Sequence, residues 1–311
     1  MADFLIVTLP GGFVDSDGLV HREVELTPLT GHEEELLGGH SLYKVESLKE
    51  TLVATISLIT TVLQRCIRRI GTLSPISQEI VRHLLIADRQ YLLLKLRELT
   101  LGDTIRANIA CPWADCGRKI MVSFSTTDVP VVASSNRAAT YQMELSAEAA
   151  FVTDSGEAHR KVCFRLPNGS DQETLAAIAV QDENRAQTLL LQRCIHTIGS
   201  MQNLDTAAIR RLSPLANSEI EQQMEAIAPR LELTMESTCP ECSRAYAVPF
   251  DVQSFFLEEL RTNRDLLYRE VHYLAFHYHW SEREIMDMPR SKRRTYIEVL
   301  SSEIERLNNA A

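Results

Sequence analysis

The 311-residue chain has no apolar run of the roughly 18–20 residues that a bilayer-spanning helix needs. Its first residues, Met1-Ala2-Asp3-Phe4, carry no basic stretch of the kind that opens a secretory signal. No membrane span and no export are therefore expected. Basic charge is not in excess either: 32 Lys and Arg stand against 42 Asp and Glu, a net −10. That sign excludes a general nucleic-acid binder, whose phosphate contacts need a basic face, but not a local basic patch. The motifs of several large enzyme classes are missing. There is no G-x-x-x-x-G-K-[ST] phosphate loop, no G-x-G-x-x-G after a strand and no G-x-S-x-G nucleophile elbow. Leu9-Pro10-Gly11-Gly12-Phe13 reads as a Gly-rich turn with no helix behind it, so it cradles no phosphate, and no catalytic role is expected. With 45% hydrophobic and 24% charged residues, the chain has the composition of a folded globular protein.

What the chain does have is internal repetition. Leu63-Gln64-Arg65-Cys66-Ile67 recurs 128 positions later as Leu191-Gln192-Arg193-Cys194-Ile195, and at the same spacing Ile70-Gly71 meets Ile198-Gly199, Arg82 meets Arg210, and Cys111-Pro112 meets Cys239-Pro240. Upstream, Gly18 to Val24 resembles Gly156 to Val162 at a spacing of 138, with Gly31 on Gly169 and Glu35 on Glu173. A period this long is not a solenoid. It points to an α+β protein of two similar halves, residues 1–132 and 133–256, about a pseudo-two-fold axis, followed by an unrepeated helical segment, 257–311. Each half begins with paired extended stretches: Phe4–Val7 with Val20–Leu26, and Tyr141–Leu145 with Lys161–Leu166. Capping boxes then open helices at Thr30-Gly31-His32-Glu33 and Ser170-Asp171-Gln172-Glu173. Apolar spacing predicts longer helices over 48–70 and 183–198, and shorter ones over 77–99 and 218–227.

Each half closes on a cysteine turn. Cys111-Pro112-Trp113-Ala114-Asp115-Cys116 is a C-x4-C turn and Cys239-Pro240-Glu241-Cys242 a C-x2-C turn, each with an Arg two residues on, Arg118 and Arg244. A structural zinc ion takes four ligands, commonly four thiolates, and each turn offers two. The pseudo-symmetric solution brings Cys111, Cys116, Cys239 and Cys242 to one shared zinc, a closed site with structural rather than chemical work. Turns held by hydrogen bonds without metal, and a separate ion in each turn, are the alternatives. Seven cysteines, an odd number, fit reduced thiols better than a disulfide framework. Zinc ribbons also bind nucleic acid, and Arg106, Arg118, Lys119 and Arg244 form a modest patch, so a zinc-ribbon nucleic-acid binder is the alternative function. Cys66, Cys163 and Cys194 sit among Leu, Ile and Val and read as small buried side chains.

The final segment, from Phe255, reads as three helices, with a capping box at Ser281-Glu282-Arg283-Glu284 and a stop at Met288-Pro289. His272, His277 and His279 have no H-E-x-x-H order and read as surface histidines among aromatics, although a metal hydrolase on this cluster is a second rival. Tyr273, Phe276 and Trp280 are candidate partner-binding anchors. Arg290, Arg293 and Arg294 form a basic cluster that reads by default as a solvated face and, in an acidic protein, suits an acidic partner.

Two blocks carry a family resemblance. One is Leu9-Pro10-Gly11-Gly12 through Asp17 to Leu26 and on to Leu29–Leu37; the other is Tyr278-His279-Trp280-Ser281-Glu282-Arg283-Glu284-Ile285 with Met288-Pro289-Arg290 and Arg293–Tyr296. They resemble a family of phage-like contractile injection systems that is similar to the baseplate hub proteins of T-even phages. The resemblance spans nearly the whole chain. It implies a structural or assembly role among tail and baseplate proteins rather than an activity, with the chain cytoplasmic and either incorporated in an assembled particle or released as an assembly chaperone; no nucleic acid is expected, on the net charge.

Overall fold

A computed structural model describes residues 4–39, 48–249, 251–262 and 264–310. The first half contains strands β1 (Leu5–Val14) and β2 (Val20–Leu26), helices α1 (Gly31–Gly39) and α2 (Leu48–Cys66), β3 (Ile67–Ile70), α3 (Gln78–His83) and α4 (Ile86–Leu101). The hairpin β4 (Thr104–Ala110) and β5 (Lys119–Ser125) and the short β6 (Val131–Val132) follow. The second half runs β7 (Tyr141–Glu144), β8 (Phe151–Val152), β9 (Ala158–His159), β10 (Lys161–Phe164), α5 (Gly169–Ala179), α6 (Glu183–Cys194), β11 (Ile195–Ile198), β12 (Met201–Gln202), α7 (Thr206–Arg210) and α8 (Pro214–Ile227). It closes with β13 (Arg230–Leu231) and the hairpin β14 (Thr234–Thr238) and β15 (Ala245–Pro249). Helices α9 (Val252–Thr262), α10 (Arg264–Tyr278), α11 (Glu282–Met286) and α12 (Arg290–Ala310) complete an α+β chain. The two main sheets are antiparallel, in the orders β1-β2-β3 and β12-β11-β10-β7. β13 pairs with β6 and so ties the second half to the first.

Each half has its own core. One gathers Leu9, Leu26, Val62, Leu63, Ile70, Leu92 and Leu96, together with Val252, Phe256, Leu257 and Leu260 of α9. The other gathers Phe164, Leu191, Cys194, Ile198, Ile209 and Ile220. Backbone and side-chain contacts recur at the sequence spacings. The N–H of Thr27 donates to the Cys66 carbonyl, and that of Arg165 to the Cys194 carbonyl, both at 2.9 Å. Gly71 donates to Glu23 (2.8 Å) and Gly199 to Lys161 (2.7 Å). The Gln64 amide reaches the Ile76 carbonyl (3.2 Å), and the Gln192 amide that of Leu204 (3.4 Å). Gly71 and Gly199 have φ of 54° and 60°, and an added Cβ would lie 2.2 and 2.3 Å from Nδ1 of His21 and His159. Any side chain would be strained in that backbone and would strike the ring as well.

Several local expectations are corrected by tertiary contacts. The helices predicted over 48–70 and 183–198 end at Cys66 and Cys194, and the next four residues are β3 and β11. Isoleucines three apart suit a helix face, but here both flank a short strand and are buried beside β2 and β10, so sheet pairing outweighs helical periodicity. The helix expected over 77–99 breaks at Leu84-Leu85, whose extended backbone receives the second half: Gly169 N–H donates to the Leu84 carbonyl at 3.0 Å. The second capping box is Asn168 with Asp171, not Ser170 with Glu173; Glu173 accepts from Arg82 (2.8 Å) and Thr60. At Thr30 the carboxylate half of the box is present, Glu33 accepting the Thr30 N–H at 3.1 Å, and the hydroxyl also donates to Glu33. The Leu9–Phe13 stretch is not a turn but an irregular part of β1. Its Gly11 and Gly12 N–H groups donate to the fully buried Asp88 carboxylate at 2.7 and 3.0 Å. Helix α8 starts four residues before Ser218, with Pro at its first turn. Among the described residues, the last segment is helical on either side of residue 263, in α9 and α10, and again in α11 and α12. Cys66 and Cys194 are buried as expected, but Cys163 is only half-buried.

The C-terminal helices dock on α1. Thr30 bridges to Pro289, and Gly31 presses so closely on Met286 that an added Cβ would lie 2.7 Å from its sulfur. Arg293, fully buried, donates to Glu34 (2.7 Å), Glu270 (3.0 Å) and the Met288 carbonyl (2.7 Å). Arg290 is also buried, 3.6 Å from Glu34. The expectation of an exposed basic cluster is therefore wrong for Arg290 and Arg293, which hold the molecule together. Of the three, only Arg294 reaches solvent.

Candidate metal centre

The two C-terminal hairpins of the halves carry the cysteine turns. β4 and β5 pair from Thr104–Ser125 to Ala110–Lys119, so the loop at their end holds Cys111 and Cys116. β14 and β15 pair from Thr234–Pro249 to Thr238–Ala245 and hold Cys239 and Cys242 in the same way. Each turn is closed by the N–H of its first cysteine, Cys111 donating to Arg118 (2.8 Å) and Cys239 to Arg244 (3.0 Å). The residue after each second cysteine turns the chain in the left-handed region, Gly117 at φ 53° and Ser243 at φ 58°. Glycine adopts that conformation freely. Serine does so at a cost and is held by its N–H donating to the Cys239 carbonyl at 2.8 Å.

The turns converge. Cys111 Sγ lies 3.8 Å from Cys242 Sγ and Cys116 Sγ 3.9 Å from Cys239 Sγ, and all four sulfurs lie within 4.8 Å of one another. A disulfide needs about 2.05 Å, so these are free thiols. Four sulfurs at about 2.3 Å from a tetrahedral ion would stand roughly 3.8 Å apart, so the donor set fits such an ion. Cys111 and Cys239 are buried and Cys116 and Cys242 half-buried, with Ile120 and Tyr246 packed against them. Burial pushes the Cys111 thiol up to about 12. The Arg244 N–H, with the neighbouring thiols donating, brings Cys242 down to about 7. One thiolate therefore forms near neutrality while the buried Cys111 beside it resists ionisation without a compensating cation. Arg244 braces the centre from outside: it pairs with Asp115 of the other turn and lies 4.9 Å from the Trp113 ring centroid. The Arg was visible in the sequence, but its partner across the two turns was not.

The other candidates behave differently. Among the described residues, the four cysteines are the cluster of three or more potential metal ligands; His272, His277 and His279 form no such group. All three histidines are exposed, and His279 lies beyond the end of α10. Tyr273 and Arg294 line one groove of about 510 Å³ between α10 and α12. Phe276 is 67% exposed. Trp280 is half-buried, stacked on Tyr278 at 4.5 Å with Tyr296 edge-on at 4.8 Å, so part of its face serves the fold. Sequence reasoning missed the buried ionic positions Asp88, Arg89, Arg97 and Glu270. Asp88 is met by backbone N–H groups, Arg89 by a carbonyl and the Thr60 hydroxyl, Arg97 by Glu259 and Glu270 by Arg293, partners distant enough in sequence that nothing local signals them.

Fold and site define an α+β protein whose paired hairpins assemble a closed four-thiol centre. The profile of the family described as T4 bacteriophage base plate protein matches residues 9–257, and the chain belongs to that family. Residues 260–311 match a second profile, a family of unknown function designated DUF6760. Comparisons with curated proteins and with solved structures return no match. Among the described residues, no helix is long and apolar enough to cross a membrane.

Proposed function

We propose that the chain is a non-enzymatic structural or assembly protein of the baseplate or hub of a phage-like contractile tail or injection system. One zinc ion on Cys111, Cys116, Cys239 and Cys242 would clamp its two halves. The observation that carries the clamp is the meeting of two thiol pairs more than 120 residues apart at the spacing a tetrahedral ion needs. The family supplies the baseplate context. With all four positions taken by thiolates the metal has no open coordination site, so it supplies folding energy, on the order of 10 kcal/mol, rather than catalysis.

The recurring contacts at spacings of 128 and 138 support an ancestral doubling, with domains 1–132, 133–256 and 257–311. Exposed Phe276, with Tyr273 and Arg294 in their shared groove, supplies a contact surface for other tail proteins; Trp280 contributes its free edge. Aromatics and Arg are the residue types that dominate such contacts. The test is assembly in cells producing a chain with all four cysteines replaced by serine. The proposal expects tails without complete baseplates, together with loss of about one zinc per chain. Complete baseplates built from metal-free protein refute it. Steeply salt-dependent DNA binding by the wild-type chain favours the nucleic-acid alternative instead.

A further inference from the structure

The two halves differ in what lies over one corresponding face. In the first half, α9 lies between α1 and α4 and buries Val252, Phe256, Leu257 and Leu260 in the core. That is the spacing of one helix face. The cluster it joins includes Leu37 of α1, Ile59, Val62 and Leu63 of α2, and Leu93 and Leu96 of α4; α9 packs on α1 and α4. At the recurring spacings, these positions become Leu175, Gln187, Leu190, Leu191, Glu221 and Met224 in the second half. All six line one open trough of about 560 Å³ among α5, α6 and α8, walled on its other side by Leu52 and Ile56 of α2 and Ile86 of α4. Among the described residues, the chain provides no second α9 there.

The rim tells what the trough selects. In the first half, Arg97 receives α9 through a two-pronged ion pair with Glu259, at 2.8 and 2.9 Å. The position corresponding to Arg97 is Glu225, exposed one helical turn on from Glu221; Glu183, Glu221 and Asp171 line the trough itself, Asp171 already paired with Arg165 and Arg193. The sign is reversed. A helix with an acidic residue where α9 has Glu259 is repelled, and one with Arg or Lys there is attracted, so charge discriminates between the two troughs.

We propose that the α5–α6–α8 trough is the docking site for an amphipathic helix of a partner protein, apolar on the α9 pattern and basic where α9 carries Glu259. The helix seats Leu and Phe side chains on Leu175, Leu190, Leu191 and Met224 and sets its cation against Glu225. The inference deepens the scaffold reading and rests on it for the identity of the partner as a tail protein. The trough itself is testable on the isolated full chain.

The probes are two helix-stapled, fluorescently labelled peptides of residues 251–262, one native and one with Glu259→Arg, titrated by anisotropy against the full-length protein. The expected result is that the Glu259→Arg peptide binds about fivefold or more tighter than the native one at low salt, with the difference shrinking at high salt. Glu225→Arg in the chain, an exposed site that spares the core, should invert the preference. Leu190→Glu, checked for folding by circular dichroism, should abolish binding. Equal binding of the two peptides, no binding of either, or a preference untouched by Glu225→Arg overturns the proposal. Self-association that Glu225→Arg abolishes overturns it too, by giving the trough to a second copy of the chain. Peptide failure with the chain still present in assembled particles removes this inference alone. Absence of the chain from particles, with normal assembly without it, removes the scaffold reading alone.

Discussion

Replacing Arg293 by Met removes the cation that Glu34 and Glu270 share inside the protein. Arg293 is fully buried, and the two carboxylates are 5% and 6% exposed. Breaking a buried pair by deleting one partner costs about 3–5 kcal/mol, because an uncompensated charge stays behind. Arg290, 3.6 Å from Glu34, compensates in part and places the loss near the lower end. Burial already holds the Glu34 carboxyl above its ordinary 4.5, against the pull of Arg293 and Arg290. A carboxyl raised in the native state binds protons that the unfolded chain has released. Its ionisation therefore weakens the fold as pH rises from 4.5 through the raised value, and stability returns as pH falls. Without Arg293 that window widens upward. The loss should be full at pH 8 and shrink toward pH 5. Urea unfolding read with hydrogen exchange in α10–α12 measures it, since these helices dock through the triad. Arg294→Met is the control: its guanidinium is 52% exposed and 3.9 Å from Glu270, worth under about 1 kcal/mol. Equal effects of the two substitutions, or a loss that grows on acidification, would refute the reasoning.

Other outcomes follow from the same geometry. Asp88, fully buried, is pushed up to about 6 by burial, against the pull of the Gly11 and Gly12 N–H groups. Its ionisation therefore costs stability as pH rises from 3.8 through 6, about 3 kcal/mol at the plateau. Asp88→Asn should flatten that part of the stability–pH curve; an unchanged slope contradicts the assignment. Gly71→Ala and Gly199→Ala should each cost more than about 2 kcal/mol in denaturant unfolding, because backbone strain adds to collision with His21 or His159. Gly117→Ala, at φ 53° but with open space around it, should cost only about 1 kcal/mol. Equal losses would mean the histidine rings yield. Chelation should lower the unfolding midpoint of the wild-type chain and leave a Cys111→Ser/Cys239→Ser double variant unmoved; a similar shift in both would mean the chelator acts elsewhere.

The thiol centre was legible because its signal is covalent. The spacing within each turn and the repeated Cys-Pro stand in the sequence whatever the chain does between them, and ligand count then calls for convergence. The broad α+β order of strands and helices was legible for a similar reason, from local periodicity. What failed was decided by contacts far away in sequence. Ile67–Ile70 carries a helical pattern but is drawn into a strand by β2. Leu84-Leu85 looks like mid-helix until Asn168 and Gly169 claim its backbone. Gly11 and Gly12 look like a turn without Asp88, a residue 76 positions on from Gly12. At the corresponding positions of the second half the chain has Ala149 and Ala216, both fully buried, so a polar contact in one half is matched by an apolar one in the other. Nothing local marks which version is used. Arg290 and Arg293 failed because charge near a helix start reads as surface; only the buried Glu34 and Glu270 turn it inward.

X-ray absorption at the zinc edge, on full-length protein purified without added metal, tests the central claim most directly. One zinc per chain with four sulfur neighbours at about 2.3 Å is the expected result. Metal-free protein of undiminished stability, or a zinc shell containing nitrogen or oxygen, would contradict it.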